Sequence, residues 1–320
     1  MRALQEATLH LMANRNSRVA VLMAVRDGAT YLDEQLQSLA MQTWPHIDLW
    51  ISDDGSQDDT LAVLERWRDR WTKGTFHIRQ GPCRGYAENF RSLIVDAAID
   101  ADFFAFSDQD DVWDDDKVEA AIVSLSGFDR DCALYCSRTR LISESGEEIG
   151  YSPHFKVEPS FRNAVLQSIA GGNTMVMNRL AHGVLAKASE RTDFVSHDWW
   201  SYIVITGVGG KVIYSPRPYI SYRQHQGNIV GSNTSFMGRL SRLRGLARGQ
   251  LREWTDRNLN SLGKIDDLLD EDARSVTSTL RVARGAGLLR RFLLVRRAGI
   301  HRQTLAGNIS MYAALLIGRI

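Results

Sequence analysis

From residue 18 to about 125 the chain alternates short apolar-rich runs with stretches whose apolar residues recur every three to four positions. Residues 19–25 and 103–106 are apolar throughout, and the runs at 48–52 and 76–79 are shorter and mixed. Helical spacing fills the intervals at 30–41, 58–71 and 86–98. The order is β-α-β-α-β-α-β. Strands without a polar face, separated by helices, predict a mainly parallel sheet covered on both sides. Ligands on such sheets bind beyond the strands' carboxyl ends. Asp53-Asp54 and Asp108-Gln109-Asp110 both fall there.

The alternation is less regular afterwards. Strands are expected at 133–135, 140–142 and 174–177, with a polar loop containing Gly146, Gly150 and Pro153 between the last two. A helix over 179–190 follows, then one opened by Ser196-His197-Asp198-Trp199-Trp200, then strands at 211–214 and 219–222. Beyond Gly231 the chain turns to Arg, Leu and Gly. Phe236, Leu240, Leu243, Ala247 and Leu251 keep helical spacing, flanked by Arg239, Arg242, Arg244 and Arg248. Residues 288–293 with Arg296 and Arg297 repeat that combination less cleanly.

Of the 320 residues, 44% are hydrophobic, ample for a folded core. The net charge of +1 conceals an asymmetry, because residues 236–320 carry 16 Lys+Arg against 7 Asp+Glu while residues 1–235 are net −8. Basic amphipathic helices predict peripheral contact with an anionic membrane. The alternative is packing on the catalytic part or on a second subunit of a homo-oligomer. Nucleic acid is not expected as a partner, since the arginines follow leucines without a recognised binding motif. Three cysteines, none in a Cys-x-x-Cys pattern, fit a reducing cytoplasm. No run reaches the roughly 18 to 20 apolar residues of a membrane span, and no secretory leader is evident.

Candidate chemistry lies at the strand ends. Phe106-Ser107-Asp108-Gln109-Asp110-Asp111-Val112-Trp113 packs three carboxylates into four residues directly after an apolar run. Carboxylates so crowded repel one another unless a cation or solvent screens them. Asp-x-Asp there suits a hard divalent ion held by a few oxygens and completed by phosphates. The plainer reading is a solvated turn capping a helix that starts near Asp115. The second strand ends in Ser52-Asp53-Asp54-Gly55-Ser56-Gln57-Asp58. Asp-Gly makes a tight turn, and Ser56 or Asp58 is placed to cap the next helix. A carboxylate projecting from this end also accepts the ring N–H of a uracil or thymine, and Asp54 is placed for it.

These ordered motifs resemble the family 2 glycosyltransferases of the GT-A fold, over about residues 19–231. The resemblance implies an α/β nucleotide-sugar-binding fold in which Asp54 contacts the pyrimidine. Asp110, with Asp108 nearby, would then bind the Mg2+ or Mn2+ ion that bridges the donor diphosphate. Ala24-Val25-Arg26-Asp27-Gly28 stands where the family commonly has a Thr-Tyr-Asn-Gly-like segment, and Asp27 keeps the polar turn as a donor-binding candidate. Gly85-Tyr86-Ala87-Glu88-Asn89-Phe90 matches a Gly-x-x-x-Asn-Phe element. Because it opens a helix, its backbone N–H groups and Arg84 would face phosphate; a Gly turn with Asn89 packed on the sheet is the alternative.

Transfer with inversion requires a base on the acceptor side. In the family it sits in an acidic element before a helix, matched here by His197-Asp198-Trp199-Trp200, so Asp198 is the candidate base; alone it would read as a helix N-cap. Trp199 and Trp200 would stack on an acceptor sugar or else fill the core. Gly172 and Asn173 would line the acceptor site or else form a plain turn. Gln224-His225-Gln226-Gly227-Asn228 is similar to a Gln-His-x-x-Asn element of a rhamnosyltransferase-like branch. That makes His225 a candidate metal ligand or diphosphate contact.

The expectation is a GT-A catalytic domain over 18–231 and a basic, mainly helical region over 236–320. Its activity would be metal-dependent, inverting transfer of L-rhamnose from dTDP-rhamnose, or of another hexose from a UDP or dTDP donor. The acceptor would be a growing surface polysaccharide or a lipid-linked glycan. A sugar nucleotidyltransferase would need a Gly-rich basic loop after the first strand, and residues 24–29 make a poor one. An idle carbohydrate-binding subunit would lack Asp110 or Asp198, and both are present.

Overall fold

The computed structural model describes residues 15–225, 250–316 and 318. Its first half is β1 (Val19–Val25), α1 (Ala29–Ala40), β2 (Ile47–Asp53), α2 (Thr60–Arg68), β3 (Phe76–Gln80), α3 (Tyr86–Ile94) and β4 (Phe103–Ser107). Next come β5 (Val112–Trp113), α4 (Lys117–Leu125), β6 (Ala133–Ser137), β7 (Arg140–Ile142), β8 (Glu148–Tyr151) and α5 (Phe161–Ala164). A 3-10 turn (Gly172–Thr174) leads to β9 (Val176–Asn178), α6 (Arg179–Arg191), α7 (His197–Gly207), β10 (Lys211–Ser215) and β11 (Ile220–Arg223). The C-terminal helices are α8 (Gln250–Lys264), α9 (Glu271–Gly285), α10 (Leu288–Arg297) and α11 (Leu305–Leu316).

The main sheet runs β10-β6-β9-β4-β1-β2-β3. Every pair is parallel except those of β9, which lies antiparallel between β4 and β6. Along β1 the side chains divide by the period-two rule. Ala20 and Leu22 join one core cluster, with α3, α6 and α7, while Val19, Val21 and Met23 join the other, with α1, α2 and α4. Both faces are therefore covered, and the polar strand ends are left along one edge. The predicted parallel α/β fold is the observed one.

A second sheet, β5-β11-β7-β8, crosses that edge. Its two- to four-residue strands were not predicted at β5 and β8, since so few residues carry no period. The helices after residue 250 join the first core cluster through Leu259, Leu262, Val276 and Leu280, and α9 packs on α7 and α5. The amphipathic stripe predicted over 236–251 and the Gln226-Gly227-Asn228 part of the His225 motif lie outside the described residues, Leu251 apart. Among the described residues no helix is long and apolar enough to cross a membrane.

Candidate active site

Backbone turns at the ends of β1, β2 and β4 bring the donor-side residues together. The Gln109 side chain pairs with the backbone of Arg26, accepting its N–H at 2.8 Å and donating to its carbonyl at 2.9 Å. A Cβ on Gly28 would stand 2.6 Å from that amide, so the close approach needs glycine. Asp27 adopts φ 48° and its Oδ1 accepts the Gln57 N–H at 2.7 Å, so one of its oxygens already closes the turn against the β2 loop. Asp54 is buried; its Oδ2 accepts the Gly85 N–H at 2.8 Å. The other oxygen, Oδ1, is buried and has no hydrogen-bond partner among the described residues. An unsatisfied buried acceptor costs about 1–3 kcal/mol, and a ligand N–H would remove that cost. Asn89 packs on the sheet, donating to Ser52 O at 2.8 Å. Arg84 is exposed, 3.7 Å from Glu88, at the rim of a cavity of about 320 Å³ that Arg91, Thr192, Asp193 and Arg257 also line.

The acidic loop after β4 is held by a buried arginine that motif reasoning missed. Arg223, at the end of β11, donates to Asp110 O at 3.1 Å and Glu144 O at 2.9 Å, and pairs with the Glu34 carboxylate. Its guanidinium lies 4.7 Å over the Tyr31 ring, which in turn packs 5.2 Å from His225. His225 Nε2 and Asp110 Oδ2 are 2.7 Å apart. Asp111 is buried and accepts the Asn173 amide at 2.6 Å and the Arg223 N–H at 3.3 Å. Burial, then Asp110 and Asp108, push its carboxyl well above the usual carboxylate range. Burial also pushes Lys117 well below the ordinary lysine value, against the opposing pull of Asp111, with its Nζ 3.2 Å over the Trp113 ring.

Asp198 stands in the first turn of α7, with Ser168 Oγ donating to its Oδ2 at 3.3 Å. The N-cap residue is Ser196, so Asp198 is not the cap. Burial, then Asp110, then Asp198 raise Asp108 to about 7. Burial followed by Asp198 and Asp108 raises Tyr86 to about 12. The charges of Asp110 and Asp198 thus both act on Asp108, and those of Asp198 and Asp108 on Tyr86.

The four residues expected on the acceptor side are packed as the alternative reading of each, core or turn, has them. Trp200 is 0% exposed and donates to Ser189 Oγ at 3.2 Å, while Trp199 is buried against Trp254 and donates to Ala164 O at 2.6 Å. Neither has an exposed ring face, because α7 is buried nearly all round and only Asp198 among its first four residues is partly exposed. Gly172 is required by packing: a Cβ there would meet His197 Nε2 at 1.9 Å. Asn173 is buried and donates to Asp111 of the acidic loop. His197 stacks on Phe90 at 3.7 Å, and burial lowers it to about 4, so it is a neutral core residue. Trp200→Ala should therefore cost about 3–5 kcal/mol of stability, read as a lower denaturation midpoint, with the acceptor KM of the folded enzyme unchanged. A raised KM without lost stability would restore Trp200 to the acceptor site.

A cation has a partial donor set here. Asp110 and His225 meet, and the uncompensated charge around Asp108 is what a divalent ion relieves. Among the described residues no group of three or more His, Cys, Asp or Glu converges on one point. Magnesium commonly takes only one or two carboxylates and completes its shell with phosphates and water, so the residues fit a cation that is co-bound with a diphosphate.

The doubly covered, mainly parallel sheet with carboxylates at its strand ends is the fold that this chain shares with GT-A glycosyltransferases. The chain belongs to glycosyl transferase family 2, whose model matches residues 20–182. It is 29% identical over 238 residues to the dTDP-rhamnosyl transferase RfbG of Shigella flexneri, covering 71% of this chain and 80% of that protein. To the putative teichuronic acid biosynthesis glycosyltransferase TuaG of Bacillus subtilis it is 23% identical over 192 residues, 60% of this chain and 74% of the other. Among solved structures, S. aureus TarS 1–349 in complex with UDP-GlcNAc superposes with a TM-score of 0.53 at 16% identity, over 94% of this chain and 90% of that one. The mannosyltransferase PcManGT from Pyrobaculum calidifontis, in complex with GDP-Man and Mn2+, gives 0.51 at 14% identity over 99% and 94%. At these identities the two structures speak for the fold alone.

Proposed function

We propose that this glycosyltransferase moves L-rhamnose from dTDP-rhamnose, with inversion, onto a hydroxyl of a growing surface polysaccharide or lipid-linked glycan. The observation that supports the reading is the charge of Asp198, in the first turn of α7, acting on Asp108 of the acidic loop. In that arrangement Asp198 takes the acceptor proton as the acceptor oxygen bonds to the anomeric carbon, and the bond from that carbon to the diphosphate breaks on the opposite side. Asp54 Oδ1 accepts the pyrimidine N3–H. A Mg2+ or Mn2+ ion held by Asp110, with Asp108 and His225 beside it, would neutralise charge on the leaving diphosphate. Arg223 holds the loop that carries Asp110. The rhamnose assignment is supported by the likeness to RfbG and by the Gln-His-x-x-Asn element.

Titration calorimetry with three donors at fixed magnesium tests base and sugar separately. dTDP-rhamnose should bind more tightly than dTDP-glucose. GDP-mannose should be weaker by about 10- to 100-fold, the worth of one hydrogen bond to a charged group. Tighter binding of GDP-mannose would remove Asp54 from the base site, whereas a preference for dTDP-glucose would overturn only the rhamnose assignment.

A further inference from the structure

Helices α10 and α11 form an antiparallel hairpin that shows solvent an apolar and cationic face. In α10 the inner arc is half-buried or buried, at Phe292 and Val295 and at Ala298 just beyond its end, and the outer arc holds Leu289, Arg290, Leu293, Arg296 and Arg297, all exposed. In α11 the outer arc is Leu305, Ala306, Ile309, Ala313 and Leu316, exposed and without one polar side chain. Helical spacing puts these five within an arc of about 100°. A stripe of that width normally faces a core; Leu305 is 79% exposed and Leu289 75%. Of the fifteen exposed large hydrophobic residues described, six fall in 288–316, so this is a patch and not the usual scatter.

The hairpin is fixed in place. Phe292 and Tyr312 pack at 5.0 Å, and Arg291 donates to Leu315 O at 2.8 Å. Arg162 donates to Ala298 O at 3.0 Å, Asn163 to His301 O at 3.1 Å, and the Gln303 N–H to Gln167 Oε1 at 2.9 Å. The anchoring segment leads to Ser168, the residue that donates to Asp198. Charge selects the occupant. Residues 287–320 contain six arginines and no Asp or Glu. A two-fold contact between copies would set this face against itself, arginine to arginine. The chain's own segment 236–248, with four arginines and no acid, is also of the wrong sign.

We propose that the α10–α11 hairpin docks on an anionic lipid bilayer, leucines and Ile309 entering the headgroup boundary and Arg290, Arg296 and Arg297 meeting the lipid charge. The inference goes beyond the transferase reading and needs neither its donor nor its acceptor. Flotation of the full chain with vesicles tests it without any activity measurement. Vesicles of phosphatidylglycerol and phosphatidylcholine in equal parts should carry the protein, phosphatidylcholine alone should not, and raised salt should release it. Arg290→Gln with Arg297→Gln should weaken binding about 30-fold, from about 1 kcal/mol per cation lost. Leu305→Ser with Ile309→Ser should weaken it by about tenfold for each residue. All four positions are exposed, so circular dichroism melts should match the wild type. Equal binding to neutral vesicles, undiminished binding of both variants, or a dimer in sedimentation that the Ser variant dissolves would overturn the proposal.

Discussion

Asp198→Asn is expected to keep donor affinity while transfer falls by roughly 10²- to 10⁴-fold, the usual worth of a positioned general base. The amide has the carboxylate's shape and can still accept the Ser168 hydroxyl, whose oxygen stands 3.3 Å from Oδ2. The flanking His197 and Trp199 stay in the core, so α7 should not move. What the substitution removes is the capacity to take a proton from the acceptor. Calorimetry with dTDP-rhamnose and single-turnover transfer, on the same preparation, separate the two quantities. An unchanged rate would move the base elsewhere, and lost donor binding would give Asp198 a structural role.

The parts of the fold that were legible are those where one physical signal dominates. Strands β1 and β4 are buried on both faces and so read as unbroken apolar runs, and polar residues directly after them mark the ligand-binding edge. Residue order alone put Asp54 and Asp108-Gln109-Asp110 at strand ends, whereas Asp198 was singled out by the family resemblance. Trp199 and Trp200 misled because a Trp pair beside a carboxylate fits both a sugar platform and a core. The deciding signal was further along the helix: Trp-Trp-Ser-Tyr-Ile-Val-Ile is apolar nearly all round, the mark of a buried helix. Arg223 had no local signal. Its partners at residues 31, 34, 110 and 144 are about 80 to 190 positions away, and only the closing of the second sheet brings them together.

Arg223 also bears on how specific a lesion in the acidic loop can be. The guanidinium grips the carbonyl of Asp110, not its carboxylate, and Asn173 grips Asp111. Backbone anchoring of this kind leaves the Asp110 side chain free to be exchanged without releasing the loop. Within hydrogen-bond reach of that carboxylate stands His225, at 2.7 Å.

Donor binding and turnover should therefore both collapse in Asp110→Ala although the protein folds. Charge neutralisation of a leaving diphosphate is worth several kcal/mol, and about 4 kcal/mol corresponds to roughly a 10³-fold loss. The loss should appear in the donor Kd measured with magnesium as well as in kcat, because the same carboxylate serves ground-state binding and departure of the leaving group. His225→Ala should cost less, since one imidazole contributes no negative charge to the site. An unchanged melting temperature in Asp110→Ala would confirm that the Arg223 and Asn173 anchors suffice. EDTA should reproduce the defect in the wild type and add nothing to the variant. Full activity in Asp110→Ala, or undiminished wild-type activity in EDTA, would overturn the assignment of a cation to this loop.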